Sequence, residues 1–293
     1  MATTGFSPIT VLLSKVYGVS SIVTTLLVIC YAIIFVLLNV PANMLIKAKG
    51  IAWPIRIASC FFISGIWVGM LVNHNFYFLL LGQCINACGM PFVQAIGATI
   101  AGVWFGDKER AQITNITSLA SVIGVIIGFG LSAFFVDDND IPQPEEAKVK
   151  VLRFILVQSS IITALSLPIL FIVRKEPPTP PSRSAHAMRG HSKDKGLIDT
   201  RSSIISHKDF KTDMRTLLTS WNFWKLNLTF SFIYGVFNTL GAVTGVVNDK
   251  FGYSTTANSI FGATFVVSGI MGSFVHAFLL DKYNRYKLQY III

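Results

Sequence analysis

Gln83, Asn86, Met90, Gln94 and Gly97 follow one another at steps of three and four residues, a spacing that lines one face of a helix. Thr114, Thr117, Ser121, Gly124 and Gly128, with Ser118 beside them, repeat the pattern further on. Between the two stripes lies a tight charged turn, Trp104-Phe105-Gly106-Asp107-Lys108-Glu109-Arg110. Amides and hydroxyls carry both donors and acceptors without net charge. The chemistry they offer is hydrogen bonding to a polar solute. Two apolar helices, each with one polar stripe, make walls for a shared wetted interior, as a membrane transporter requires.

The elements that must hold those stripes follow from composition. Of 293 residues, 53% are hydrophobic and 13% charged, with mean hydropathy +0.62. A soluble domain carries about 25% charged residues, so this chain has too little polar surface to cover itself in water. Its apolar runs, 19–46, 51–73, 77–105, 111–136, 151–173, 221–247 and 256–280, are of membrane-spanning rather than strand length. The reading is an all-α polytopic membrane protein. Residues 5–14 and 290–293 read as pieces of further spans, giving about seven full transmembrane helices plus a partial one at each end. Residues 1–173 form an N-terminal bundle, 174–220 a hydrophilic linker and 221–293 the start of a C-terminal bundle. The proline-containing acidic stretch 137–146 is expected to lie in water. The proline run after residue 176 reads as a stiff exit that keeps the linker off the membrane.

Basic residues set the orientation. With the linker inside, alternation puts Lys47, Lys49, Arg56, Lys108, Arg110, the linker cations, Lys282, Arg285 and Lys287 inside. Only Lys15, Lys148, Lys150, Arg153 and Lys250 fall outside. That asymmetry satisfies the positive-inside rule. The net charge of +10 then speaks of contact with an anionic inner leaflet. It does not speak of nucleic acid, since the cations are not interleaved with aromatics. The expected home is the plasma membrane.

Other chemistry is thin. Cys30, Cys60, Cys84 and Cys88 all fall within spans, and no His or carboxylate joins the Cys84–Cys88 pair, so neither metal nor cofactor is implied. The glycosylation patterns at Asn115 and Asn227 lie inside spans. No Asp or Glu lies deep in a span, which removes the usual proton relay. The chain does not read as an enzyme; gradient-driven movement by rocking of two halves is the simpler mechanism. Candidate pathway residues are the amides of Gln83, Asn86, Gln94 and Asn238, the rings of Tyr31, Tyr234 and Phe237, and Met90 and Ser121. Asp107, Glu109, Arg110, Asp281 and Arg285 are candidate inner-gate charges. The alternatives are interhelical bonding or packing for the first group and a solvated turn for the second. Gly124-x-x-x-Gly128 and Gly269-x-x-Gly272 suggest close helix contacts, and His276 an interface residue.

About six spans, a long basic loop and then more spans resembles the layout of the major facilitator superfamily. Within it the chain is most similar to the feline leukaemia virus subgroup C receptor-related family. The likeness rests on Tyr17-Gly18-Val19, Tyr31, Pro41-Ala42, Leu45, Gly50, Leu81-Gly82-Gln83-Cys84, Val103-Trp104-Phe105-Gly106 with Lys108-Glu109, Gly124, Gly128-Phe129, Leu280-Asp281 and Tyr286-Lys287. The resemblance implies alternating access and a cargo of the choline, ethanolamine or heme kind. In choline-transporting members an aromatic cage and a few amides hold the quaternary ammonium. Here the cage tryptophan falls at Thr3, the fourth-span amide at Met90 and the fifth-span amide at Ser121. Tyr234, Phe237 and Asn238 lie near the seventh-span tyrosine, and the acidic residue of the inner loop is Lys47. Full carriers of this layout have twelve spans. The chain therefore reads as truncated at both ends, and the competing expectation is a non-transporting or incomplete membrane protein.

Overall fold

The computed structural model describes residues 2–94, 96–106, 109–136, 142–174, 177–179, 212 and 214–283, the side chains of residues 98, 111, 242, 276–278 and 280–283 excepted. Residues 2–9 run through successive turns into helix α1 (Thr10–Tyr17). Gly18 ends α1 at φ 64°, a left-handed conformation that a side chain would resist. Helix α2 (Ser21–Lys49) follows, with Lys47 and Lys49 in its last turn, where cations suit the negative end of the helix dipole. At about 1.5 Å per residue its 29 residues exceed the ~30 Å hydrocarbon layer. Helix α3 (Ala52–Gly69) tightens into a 3₁₀ turn, Met70–Asn73. Helices α4 (Phe76–Gln94) and α5 (Ile96–Trp104) together make one 29-residue span.

Helix α6 (Arg110–Phe135) leads to α7 (Pro144–Ile172). Here the structure corrects the sequence reading. The acidic stretch through residue 146 reads as a loop in water, but it is helical from Pro144. Proline fits the first helical position, where its missing N–H costs nothing, and Glu145 and Glu146 suit the positive end of the dipole. Within the stretch read as linker, residues 214–219 are helical, ahead of α8 (Trp221–Asp249) and α9 (Thr255–Tyr283). Among the described residues, six helices have the length and apolarity to cross a membrane, and α8, bent by 52° between Gly241 and Val243, makes a seventh if counted as one span. The molecule is an all-α polytopic membrane protein. No strand occurs among the described residues.

Lipid tails are as apolar as leucine, so helices in a bilayer associate through close packing and polar contacts rather than through the hydrophobic effect. The seam between α3 and α4 is built that way. A Cβ on Gly65 would lie 2.6 Å from the Gly82 carbonyl oxygen, and one on Gly82 would lie 2.7 Å from the Gly69 nitrogen. Further along, Gly89 takes the ring of Phe62. Helix α7 joins α3 through the Trp67 indole N–H, which donates to Thr163 Oγ1 at 3.0 Å. At the far end Arg56 Nη2 donates to the Val173 carbonyl at 3.2 Å. An apolar core gathers where α1, the starts of α2, α4 and α7, and the 3₁₀ turn converge. Phe6 and Phe154 meet there edge to face, with centroids 5.4 Å apart.

Candidate functional site

The polar stripe of α4 does not act as one surface. Gln83 points to α2, and its Oε1 accepts the Tyr31 hydroxyl at 2.6 Å. Both are buried, Gln83 at 2% exposure. Cys30, Ala87, Ile34, Cys84 and Met90 pack around this pair, and Thr3 is a further side-chain neighbour of the Tyr31 hydroxyl. Asn86, three residues on from Gln83, sits against α3, its backbone pressed on Gly65. It is 1% exposed, and its Nδ2 has no hydrogen-bond partner. A buried amide donor left unpaired costs about 1–3 kcal/mol, so Asn86 is a place where an acceptor would be welcome. Gln94 is exposed. The structure thus pairs Tyr31, Gln83 and Met90, sets Asn86 beside them and leaves Gln94 apart.

The stripes on α5 and α6 meet at Gly97, where an added Cβ would lie 3.0 Å from Thr117 Oγ1. Most α6 hydroxyls turn back on their own helix: Thr114 donates to Arg110, Thr117 to Thr114, and Ser121 to Thr117. Ser121 is exposed. On α8, Tyr234 and Phe237 are also exposed, 43% and 44%. Tyr234 stacks on Phe230 at 5.6 Å, Phe237 stacks on Phe265 of α9 at 5.5 Å, and the Asn238 amide donates to the Tyr234 carbonyl at 2.7 Å. Tyr234, Phe237 and Asn238 thus occupy one stretch of α8, each ring stacked on a neighbour and partly exposed. Of the gate candidates, Glu109 is exposed just ahead of α6, and Arg110 Nη2 reaches the Gly102 carbonyl at 3.5 Å. Asp107, Arg285 and the side chain of Asp281 lie outside the described residues, as does the side chain of His276.

Sequence reasoning missed the contacts that join α8 and α9 to the helices before the linker. Lys15 Nζ pairs with Asp249 Oδ1 at 3.1 Å. The Ser7 hydroxyl donates to the Gly241 carbonyl, and Gly245 faces Ser7 and Thr10 across a gap that a Cβ would close to 2.9 Å. Between α6 and α9, the Ser132 and Ser259 hydroxyls are 3.3 Å apart and the Phe129 ring lies on Gly262. A sequence signal existed, since Gly241-x-x-x-Gly245 has the same spacing as the pair noted on α6. The Gly269 and Gly272 pair is corrected: among the described residues, nothing outside the helix's own backbone comes within 4 Å of a Cβ at either. Among the described residues, every hydrogen bond, ion pair and glycine contact named here falls in the halves of α8 and α9 nearest their connecting turn.

At that same end the Tyr17 hydroxyl donates to Asn73 Oδ1 at 2.9 Å, beside a cleft of ≈ 320 Å³ that His74 and Lys148 also line. Burial, and secondarily the charge of Glu145, pushes the Tyr17 hydroxyl well above the ordinary tyrosine range.

The sequence profile of the Major Facilitator Superfamily matches residues 1–293. The chain belongs to that superfamily. Among superfamily relatives, it is 26% identical over 281 residues to the choline/ethanolamine transporter FLVCR1 of Felis catus, covering 94% of this chain and 48% of the relative. It is 26% identical over 292 residues to solute carrier family 49 member A3 of Xenopus tropicalis, covering 96% and 55%. Against the uncharacterized MFS-type transporter C09D4.1 of Caenorhabditis elegans the figures are 25% over 293 residues, 98% and 47%. This superfamily chain thus spans about half the length of the curated relatives it matches.

Proposed function

We propose that this chain carries a small organic solute across a membrane by alternating access, with α1–α7 rocking against α8 and α9. The observation that carries the reading is the one-ended contact between these two groups. They touch near Lys15–Asp249 and Ser132–Ser259, while α8 before residue 240 is exposed almost throughout. Two groups of helices closed at one end and apart at the other are what a rocking carrier needs.

The solute class follows from the groups on offer. Tyr234 and Phe237 present ring faces, which attract an ammonium or quaternary ammonium group. The likeness to a choline/ethanolamine transporter, FLVCR1 of Felis catus, supports a cargo of that kind. Without a carboxylate deep in a span, movement is driven by the solute's own gradient. The linker end faces the cytoplasm and its anionic leaflet, by the distribution of basic residues. The plasma membrane is the expected site.

Uptake of labelled choline and ethanolamine by proteoliposomes holding this chain tests the proposal. Saturable uptake that Tyr234→Ala and Phe237→Ala each reduce severalfold is the expected result. Uptake no greater than in empty liposomes, at any solute gradient, would sink the carrier reading and favour a non-transporting membrane protein.

A further inference from the structure

At the end of the helices opposite the linker, a cleft of ≈ 320 Å³ opens between the close of α1, the 3₁₀ turn, the start of α4 and the second turn of α7. Its polar lining is Tyr17, Asn73, His74, Asn75, Tyr77 and Lys148. At that volume it stands at the small end of ligand pockets, roughly 300–1,000 Å³, and suits a molecule the size of a lipid headgroup. Polar side chains hold its shape. Tyr17 donates to Asn73 Oδ1 at 2.9 Å, and Asn75 Oδ1 accepts the Tyr77 N–H at 2.9 Å, which fixes the turn into α4. Lys148 borders the cleft with its side chain 31% exposed, and its Nζ donates to Glu145 Oε1 at 2.8 Å. The Glu145 side chain is 85% exposed, so water screens the pair and leaves it weak. An ammonium has three donors, and Glu145 takes one of them among the described residues. Lys148 therefore keeps donors for an anion that enters the cleft.

The surroundings decide between a soluble anion and a lipid. Tyr17 and Tyr77 sit at the ends of their helices, the level at which tyrosine gathers in a bilayer. From Tyr77, 58% exposed, Phe78 and Leu81 continue an exposed apolar strip along α4 into the span. A phosphate held at Lys148 thus has an apolar surface next to it for an acyl chain. The charges around the cleft also favour one kind of headgroup. Lys148 suits a phosphate, while the Tyr17 and Tyr77 rings and the Glu145 carboxylate suit an ammonium. A purely anionic headgroup fits less well, because Glu145 and Glu146 share the first turn of α7. We propose that this cleft seats a phospholipid headgroup carrying both phosphate and ammonium. The phosphate lies on Lys148, the ammonium against Tyr17, Tyr77 and Glu145, and an acyl chain along Phe78 and Leu81. The bound lipid joins the ends of α1, α4 and α7. It requires no solute movement, so the site stands apart from the rocking-carrier reading.

Native mass spectrometry of the detergent-purified chain, after incubation with phosphatidylethanolamine, phosphatidylglycerol or diacylglycerol of the same acyl chains, reads the site. Phosphatidylethanolamine is expected to be retained most. Lys148→Gln is expected to lower that retention about tenfold, the loss of one charge-assisted hydrogen bond. Lys148→Arg, which keeps a cation, is expected to preserve it. Lys250→Gln removes an exposed charge elsewhere at the same end and is expected to change nothing. Glu145→Gln is expected to shift preference toward phosphatidylglycerol, because it removes the ammonium's partner and frees Lys148. Equal retention by the parent and Lys148→Gln would overturn the site. So would diacylglycerol held as tightly as phosphatidylethanolamine, since apolar contact alone would then explain binding. Soluble phosphoethanolamine shares the headgroup chemistry and is expected to bind far more weakly than the lipid. Binding as tight as the lipid's would put a free phosphate ester in the cleft and overturn the lipid assignment. None of these readouts involves uptake, so failure here leaves the transport reading untouched.

Discussion

The Tyr31 hydroxyl and the Gln83 amide oxygen, 2.6 Å apart and buried between α2 and α4, form a side-chain hydrogen bond joining two spans of the N-terminal bundle. Removing the hydroxyl with Tyr31→Phe leaves the Gln83 oxygen inside the packing without its donor. Such stranding costs ~1–3 kcal/mol in a soluble core, whereas polar pairs between membrane helices average ~0.6 kcal/mol. A loss of about 1 kcal/mol lies between these limits. Tyr31→Phe and Gln83→Leu are each expected to lower stability by that amount, and the double variant by less than the sum. Unfolding in mixed detergent measures all three. Full additivity would mean that the two side chains act independently.

The α3–α4 seam makes a sharper prediction. Gly82→Ala drives a methyl into the backbone of Gly65 and Gly69, and overpacking of this kind costs about 1–3 kcal/mol. Gly65→Ala is expected to match it. Gly235→Ala and Gly269→Ala meet open space, and alanine is the better helix former by up to ~1 kcal/mol, so neither is expected to destabilise. Melting temperatures of the four variants check the contrast. A Gly82→Ala protein as stable as its parent would show that the seam is looser than the geometry implies.

Tyr17 lies outside the spanning segments and gives a pH dependence with a definite sign. Its pKa is raised in the folded chain, by burial first and by Glu145 second. The folded state therefore holds the phenolic proton more tightly than the unfolded chain does. Stability from this group is fully present below the ordinary tyrosine value of about 10 and falls as pH rises above it. From pH 6 to 9 the group contributes no slope. Denaturation followed from pH 8 to 11 is expected to show a decline above pH ~10 that Tyr17→Phe reduces. An unchanged decline in Tyr17→Phe would assign it to other groups.

The sequence made most of the fold legible because membrane spans are set by local quantities. A run of some twenty apolar residues must be helical in hydrocarbon, whatever its neighbours. That argument located the six spans found among the described residues and the bent α8, and it failed where local signals competed. Pro144, Glu145 and Glu146 read as loop composition yet are good first-turn residues, so α7 starts earlier than its apolar run. The candidate site was less legible. Gln83, Asn86 and Gln94 are the same kind of residue at the same helical spacing. Only packing makes one bonded, one unpaired and one exposed.

What the amino-acid sequence determined by itself is the class of the molecule: an all-α polytopic membrane chain with the motifs of a superfamily, each readable within a few turns of helix. What the tertiary structure decided is which small and polar residues meet. Gly241-x-x-x-Gly245 docks on Ser7 and Thr10 while Gly269-x-x-Gly272 meets nothing among the described residues, although both are pairs of glycines about one helical turn apart. The reason is physical. Helix formation in lipid is dictated by each segment's own backbone, but a close contact needs a second surface, and Ser7 reaches Gly241 across 234 positions of chain.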